Sequence, residues 1–382
     1  MSDRQFFSRR VPHLEDTNRF IEKVASRRAT DPEFLDLVET NPTRAGLLFE
    51  SVPFLPLNPR YDPDPQGLPS ARKSIAAYYG PHVDPDDLVL TASTSEAYSF
   101  LFKLLADAED EILVPVPSYP LFEHLTLLEG LRPEAYPLCY SDGRWRIDAD
   151  SLKRARSKRT RGLIVVHPNN PTGSYLDVND FGSLADDLPV IADEVFFDYP
   201  DPGFTPERVA DARPDALTFS LGGLSKLCAL PQAKLAWIRV SGPEKQKRAA
   251  VERLVFIADA YLSVGTAIQD SAPLLLDNRF SVQHRIRERV SRNATVLEET
   301  IQAMPGLVER KREGGWYAVC ELPSSWTGED FAGALLEQNV LVHPGYFYDF
   351  EEDNLIVTSL LTPEAGWKKG AEIVASLATR HS

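Results

Sequence analysis

Cysteine is scarce in this sequence: Cys139, Cys228 and Cys320 are the three among 382 residues. Their spacing suits neither a metal site nor a disulfide framework, so we expect free thiols in a reducing compartment. Basic residues are also outnumbered, since 41 Lys and Arg face 56 Asp and Glu and give a net charge of −15. Nucleic acids and anionic membranes attract a basic surface, so neither is expected as a partner.

Long apolar runs are missing as well. No stretch approaches the continuous apolar length of a membrane span. The first twenty residues carry charges throughout and lack the apolar core of a signal peptide. Internal repeats and low-complexity blocks are absent too. These absences predict a cytoplasmic protein of ordinary globular composition.

Between positions 88 and 240, short apolar runs alternate with amphipathic segments. Such runs are typical of strands buried on both faces, and the alternation predicts a mainly parallel α/β sheet covered by helices. The predicted strands are 88–91, 111–116, 163–167, 190–192, 216–220 and 234–240, with helices such as 96–105 and 121–129 between them.

The pattern changes after position 240. Long helices are predicted at 244–262 and 272–304, the second interrupted near 276–279, and strands at 316–322 and 354–361. They indicate a second, smaller α+β domain. We therefore divide the chain into an N-terminal arm with part of the small domain (1–55), a large α/β domain (56–265) and a C-terminal small domain (266–382).

Five motifs follow predicted strands, which is where parallel sheets bind ligands. The first, with Ser93, Thr94 and Ser95, lies between a strand and a helix, where hydroxyls and free N–H groups suit a phosphate. An ordinary helix cap is the alternative, and this segment alone favours it. The second motif holds Tyr119, whose ring can stack on a flat heteroaromatic group. A turn or core aromatic explains it equally well.

The third and fourth motifs supply an amide and a carboxylate. Two prolines and a glycine make 167–173 a rigid loop, in which Asn170 can donate to a phenolate oxygen. A plain turn uses the same residue types. Asp193 ends an apolar strand, where a half-buried carboxylate calls for a cation such as a protonated pyridine nitrogen. The alternative is a helix cap.

The fifth motif is Ser225-Lys226, with Lys234 eight residues further on. Lysines that form Schiff bases have a pKa lowered by desolvation or by neighbouring cations. A solvated lysine without a role is the alternative, and it would be preferred without the other four motifs.

In this order the five motifs resemble those of the class I/II aminotransferases, which are fold-type I pyridoxal-phosphate enzymes. The resemblance extends over nearly the whole chain, including 61–68 upstream and 314–317 and 343–345 downstream. It implies a large domain with a mainly parallel, seven-stranded type of sheet between helices, plus a smaller α+β domain.

The resemblance also implies roles for single residues. Lys226 would form the Schiff base with pyridoxal 5′-phosphate, Asp193 would pair with the pyridinium nitrogen, Asn170 would bond the ring O3′ and Tyr119 would stack on the ring. Tyr61 would reach the phosphate bound in the neighbouring subunit of a homodimer. The remaining cofactor contacts implied are Ser93, Thr94, Ser95, Ser225 and Lys234.

The implied reaction moves an amino group from an amino acid, or a related amine, to a 2-oxo acid in ping-pong fashion. The cofactor acts as electron sink, and Lys226 as general base and acid. A lyase, a decarboxylase or another amino-acid-modifying enzyme of the same fold would use the same residues, so these stay alternatives. A binding module without catalysis would be expected to have lost Lys226 or Asp193.

Three departures from the family pattern concern the cofactor. Gly223 stands where many relatives have a serine on the phosphate, and Lys234 stands where they have an arginine. Phe196 replaces a tyrosine that donates to O3′. We expect cofactor binding to survive all three.

A fourth departure concerns the substrate. The strand around Ile356 lacks the arginine that usually binds an α-carboxylate in two hydrogen bonds. Either another cation substitutes, for which Arg44 is our candidate, or the substrate has no α-carboxylate in the usual place. Trp316 is a further candidate for the substrate pocket. Most of the aromatic residues near it, and in 346–350, are expected in the core.

Overall fold

The computed structural model describes residues 8–11, 18–49, 62–177, 187–303 and 306–379. Its strands are β1 (Leu35–Asp36), β2 (Leu88–Thr91), β3 (Glu111–Val116), β4 (Arg132–Ser141), β5 (Arg144–Ile147), β6 (Thr160–Val166), β7 (Val190–Asp193), β8 (Thr218–Gly223), β9 (Ala236–Ser241), β10 (Val308–Arg310), β11 (Tyr317–Glu321), β12 (Val340–Leu341), β13 (His343–Pro344) and β14 (Leu355–Ser359).

Helices precede, separate and follow these strands. They are α1 (Arg19–Thr30), α2 (Pro69–Tyr79), α3 (Thr94–Leu105), α4 (Leu121–Glu129), α5 (Ala149–Ala155), α6 (Val209–Ala212), α7 (Leu224–Leu227), α8 (Glu244–Asp259), α9 (Thr266–Asp277), α10 (Arg279–Ala303), α11 (Gly328–Leu336) and α12 (Glu364–Thr379).

An eight-stranded sheet forms the centre of the molecule, in the order β2-β9-β8-β7-β6-β3-β4-β5. Strands β8, β7, β6, β3 and β4 run parallel, whereas β9 and β5 pair antiparallel with their neighbours. The mainly parallel α/β sheet is thus confirmed. The sheet has one strand more than the seven expected, because β5 returns beside β4 as a hairpin.

Side chains alternate across this sheet and bury both of its faces. Ile164 of β6 points into a core shared with α3, α4 and α8. Its neighbours Leu163 and Val165 belong to a second core on the opposite face, with Leu152 of α5 and Val209 of α6. Burial on both faces explains why the sequence shows continuous apolar runs here.

The sequence predicts the sheet unevenly. All six predicted strands are present, with ends displaced by a few residues. Strands β4 and β5 were missed, because β4 is mostly half-buried or exposed and its polar and apolar residues are mixed. The predicted helix break is present: α9 ends at Asp277 and α10 begins at Arg279.

A second, antiparallel sheet, β10-β11-β14-β13, lies in the C-terminal part of the chain. The N-terminal segment joins it, since β1 pairs with β12 and Leu37 lies in the same core as Trp367. Helix α9 instead packs against α2 beside the large sheet. The domain limits at 55/56 and 265/266 stay a prediction.

Candidate active site

The parallel strands bring four of the five motifs to one edge of the large sheet. Strands β8, β7, β6 and β3 are consecutive neighbours, and their carboxyl ends lie side by side. Lys226, Asp193, Asn170 and Tyr119 follow or end these strands, respectively. The motif at 93–95 follows β2, on the far side of β9. Residues separated by more than a hundred positions therefore meet at one edge.

Asp193 is the last residue of β7 and is 9% exposed. Its Oδ2 accepts a hydrogen bond from the hydroxyl of Tyr98 at 2.9 Å, and its Oδ1 accepts one from the N–H of Val195 at 3.2 Å. Burial raises the pKa of Asp193 to about 6, while these hydrogen bonds act in the opposite direction. No ion pair of this carboxylate occurs among the residues that the structure describes.

Lys226 lies in α7, the single helical turn that follows β8. Its Nζ is 5.5 Å from the ring centre of Phe196 and 5.4 Å from that of Trp316. Burial lowers the pKa of Lys226, whereas the carboxylates of Asp193 and Glu39 raise it. Desolvation is the largest of these effects, so a larger fraction of the amine is neutral than in a solvated lysine.

A buried loop after β6 holds Asn170. His167 opens the loop and is locked at both ring nitrogens: Nδ1 accepts from the N–H of Leu176, and Nε2 donates to the carbonyl of Glu207, each at 2.9 Å. Gly173 closes it with φ +67°, where a Cβ would come within 2.4 Å of the carbonyl oxygen of Gly314. The loop is thereby fixed against both the large sheet and the segment before β11.

Asn170 is buried, and its amide faces the small sheet. Its Nδ2 lies 3.4 Å from the hydroxyl of Tyr317, to which it donates. Its buried Oδ1 has no hydrogen-bond partner among the described residues. Since buried polar atoms are normally satisfied, this orphaned oxygen marks a position for a hydrogen-bond donor, whereas a phenolate oxygen would be bound by the second proton of Nδ2.

Tyr119 is 45% exposed and packs edge-on against Phe122. Partial burial raises the pKa of Tyr119, and the charge of Asp193 raises it further. The ring thus lies within electrostatic reach of the aspartate with much of its surface free. That arrangement suits the stacking expected of it.

The motif after β2 is a helix start. Ser93 caps α3, since its Oγ accepts from the N–H of Glu96 at 3.1 Å. Glu96 in turn accepts from the N–H of Ala92 at 2.7 Å, which is close to a capping box. The Ser93 hydroxyl therefore serves the helix. Thr94 and Ser95 are half-buried in its first turn, where free N–H groups favour anions.

The other residues predicted to contact the cofactor differ in burial. Ser225 is half-buried beside Lys226, whereas Lys234 is exposed with φ +55°. At Gly223 an added Cβ would lie 3.2 Å from the carbonyl of Leu235, so the serine of many relatives would be crowded here. Tyr61 lies outside the described residues.

The residues considered for substrate binding lie in different surroundings. Trp316 is fully buried and packs against Phe196 at 5.0 Å, near the amine of Lys226. Arg44 is exposed, and its side chain forms no ion pair within the described part of the chain. Ile356 is fully buried in β14, so this position contributes only apolar surface.

Two contacts of the site were not foreseen from the sequence. Tyr98 reaches Asp193 from the first turns of α3, and Tyr317 reaches Asn170 from β11. Tyr317 is also within hydrogen-bond reach of the side chain of Thr40. Aromatic residues on a helix or a strand usually signal core packing, so neither carried a functional signal.

A buried carboxylate without an ion pair among the described residues and a desolvated lysine at neighbouring strand ends are features that a pyridoxal-phosphate site requires. The donor set fits that cofactor, because its ring nitrogen is a cation when protonated and its aldehyde combines with a neutral amine.

Comparison with known proteins identifies the family. The model of the family described as Aminotransferase class I and II matches residues 61–364, and the chain belongs to this family. Members of this kind transfer amino groups with pyridoxal 5′-phosphate, and so does this enzyme.

Relatives of known name are distant but extensive. The alanine aminotransferase of Mycobacterium tuberculosis is 27% identical over 299 residues, which cover 74% of this chain and 70% of the relative. The glutamate-pyruvate aminotransferase AlaA of Escherichia coli is 26% identical over 300 residues, covering 76% and 70%.

A solved structure agrees in fold. An alanine aminotransferase from Pyrococcus furiosus superposes with a TM-score of 0.83 over 98% of this chain and 100% of its own, at 22% identity. The fold-type I architecture is thereby established for the chain as a whole.

Proposed function

We propose that this enzyme transfers an amino group between an amino acid and a 2-oxo acid with Lys226 as the covalent anchor of the cofactor. The proposal rests above all on the positions of Lys226 and Asp193, which lie at neighbouring strand ends within electrostatic reach of each other. One residue offers a desolvated amine and the other a buried carboxylate that lacks a cation. Both groups carry the pKa shifts that such roles call for.

Bound pyridoxal 5′-phosphate supplies an electron sink. Side chains of the protein bind and transfer the protons. Asp193, once ionised, would hold a proton on the ring nitrogen of the bound cofactor. The free amine of Lys226 would take a proton from the substrate α-carbon and later return it, acting first as general base and then as general acid. Its lowered pKa favours the neutral form needed for the first of these transfers.

The surrounding residues hold these groups in place. The rings of Phe196 and Trp316 lie beside Nζ of Lys226 and form an apolar wall there. Asn170 is assigned to O3′ of the ring, and Tyr119 to its face. Thr94 and Ser95 are assigned to the phosphate, together with Ser93, Ser225 and Lys234.

For the substrates we propose glutamate as amino donor and pyruvate as acceptor, with alanine as donor and 2-oxoglutarate as acceptor in the reverse direction. The support is the names of the relatives, which are an alanine aminotransferase and a glutamate-pyruvate aminotransferase. Arg44 stays our candidate for the substrate carboxylate, because β14 offers no cation. Turnover of Arg44→Ala on both amino acids tests this, and an unchanged KM removes Arg44 from the site.

We further propose a cytoplasmic homodimer in which Tyr61 completes the phosphate site of the neighbouring subunit. Exposed apolar side chains on α8 and α10 support an interface: Phe256 is 80% exposed and Phe280 60%. The three cysteines are free thiols, as a reducing compartment allows. In the described residues no helix has the length and apolarity to cross a membrane. Sedimentation analysis tests the dimer.

The decisive experiment replaces the lysine. Lys226→Ala is expected to lose the visible absorbance of the covalently held cofactor and all turnover. Lys369→Ala, which removes an exposed lysine paired with Glu33, is the matched control and should keep both. A cofactor spectrum unchanged in Lys226→Ala would overturn the assignment.

A single-turnover experiment separates transfer from the alternative lyase or decarboxylase reactions. Enzyme mixed with glutamate alone should yield the 2-oxo acid and the aminated cofactor in equal amounts. Release of ammonia or carbon dioxide instead would assign the enzyme to one of the alternatives.

A further inference from the structure

Tyr98 contacts the carboxylate of Asp193, which is predicted to be catalytic. It lies in α3 and is 3% exposed, and its hydroxyl donates to Oδ2 of Asp193 at 2.9 Å. The ring is held edge-on by Phe122, with ring centres 5.4 Å apart, and packs obliquely against Phe102. Packing on two sides leaves the hydroxyl little freedom to turn away from the carboxylate.

The hydrogen bond is fixed in direction. Burial raises the pKa of Tyr98 well above its usual value, and the charge of Asp193 raises it further. The phenol therefore keeps its proton and can only donate to the carboxylate. A donor facing a buried carboxylate favours the charged form over the neutral one.

We propose that Tyr98 is a positioning residue, which orients the Asp193 carboxylate and keeps it ionised for the ring nitrogen of the cofactor. The inference rests on the role proposed for Asp193. It adds a function to α3, whose first turn carries the phosphate motif: one helix would then fix both the phosphate end and the ring-nitrogen end of the site. Two rigid attachments on one element preserve the distance between them.

Other charged and titratable groups also face Asp193. Glu194 follows it in the chain and disfavours its ionisation, whereas Lys226 favours it. Tyr119 lies within electrostatic reach from the loop after β3. Of these groups and Tyr98, the structure gives only Tyr98 a side-chain hydrogen bond to the carboxylate. Its removal should therefore leave the other influences in place.

The test is cofactor affinity against pH, because it requires no turnover. Apoprotein carrying Tyr98→Phe keeps the packed ring and loses the donor. Ionisation of Asp193 should then require a higher pH. The part of the pH profile in which binding of pyridoxal 5′-phosphate weakens with acid, the acid limb, therefore moves to higher pH. We expect a displacement of about one pH unit and about tenfold weaker binding on that limb, measured by visible absorbance from pH 5 to 9.

Tyr136→Phe is the matched control. Tyr136 is buried and donates through its hydroxyl to the carbonyl of Ile164 at 2.7 Å, without touching Asp193. The same atom is removed from a comparable environment, so the acid limb should stay at the wild-type pH. Equal displacement in the two variants would show a merely structural effect and overturn the proposal.

Asp193→Asn separates this proposal from the proposed function. In that background, Tyr98→Phe should cause no further displacement, since no carboxyl remains to titrate. If Asp193→Asn itself leaves cofactor affinity and its acid limb unchanged, the role assigned to Asp193 fails. If it abolishes the acid limb while Tyr98→Phe has no effect, only the positioning role of Tyr98 fails.

Discussion

The carboxyl group of Asp193 is buried at the end of β7, and burial raises its pKa from 3.8 to about 6. A carboxyl whose pKa is higher in the folded state binds its proton more tightly there than in the unfolded chain. Its contribution to stability is present below pH 3.8 and is lost as pH rises through 6. Near neutral pH the ionised carboxylate of Asp193 therefore destabilises the cofactor-free protein. A cation bound beside this carboxylate would offset the destabilisation.

Asp193→Asn should accordingly stabilise the cofactor-free protein at pH 8. The shift in pKa corresponds to about 3 kcal/mol of unfolding free energy as an upper value. At pH 4 the two proteins should differ little, because Asp193 is then mostly neutral. Urea unfolding of apoprotein at both pH values measures this. The control Asp187→Asn removes an exposed carboxylate paired with Arg156 and should give no gain.

At the scale of elements, the antiparallel pairing of β8 with β9 determines the position of Lys226. Gly222 of β8 lies opposite Trp237 of β9, whose indole N–H donates to Tyr79 at 2.9 Å. A Cβ at Gly222 would come within 2.6 Å of that nitrogen. The glycine thus lets a large buried side chain lie flat against the backbone, four residues before Lys226.

Gly222→Ala is expected to destabilise the protein by about 1–3 kcal/mol, as overpacking of a core does. It should also weaken cofactor binding, because the end of β8 must shift and carry Lys226 with it. Thermal unfolding and cofactor titration measure the two effects. Gly333→Ala in α11 is the control: its Cβ meets open space, and alanine favours a helix by up to about 1 kcal/mol. A stable Gly222→Ala protein with normal affinity would contradict this account.

At the scale of the whole molecule, the two sheets respond to acid in the same way. His167 lies at the large sheet and His343 in the small one, and burial lowers the pKa of each from 6.5 to about 4. A histidine with a lowered folded pKa contributes stability that is present above pH 6.5 and is lost as pH falls through 4. Each accounts for at most about 3 kcal/mol. Asp193 acts in the opposite direction over an overlapping range.

His343→Gln tests this for the small sheet. At pH 8 the variant should be less stable than the wild type, because the substitution removes the hydrogen bond between His343 and Tyr348. Between pH 7 and pH 4.5, however, its unfolding free energy should fall less than that of the wild type. His284→Gln changes an exposed histidine and should keep the wild-type pH dependence. Identical pH profiles for wild type and His343→Gln would refute the assignment of acid sensitivity to buried imidazole.

The sequence by itself determined the sheet strands with continuous apolar runs, the fold class and the cofactor. Each of these depends on local patterns: burial on both faces leaves an uninterrupted apolar run, and a loop such as 167–173 carries its chemistry in adjacent residues. Strand β4 escaped because half-buried strands lack that pattern. The roles of Lys226, Asp193, Asn170 and Tyr119 stay predictions that the geometry supports.

Only the tertiary structure decided which groups surround those residues. Tyr98 and Asp193 are 95 positions apart, and Asn170 and Tyr317 are 147 apart, so no local pattern links either pair. Ser93 turned out to cap α3, and Arg44 to lie at the surface. A hydrogen bond or a pKa depends on distance and burial in space, and the order of residues along the chain specifies those only through the complete fold.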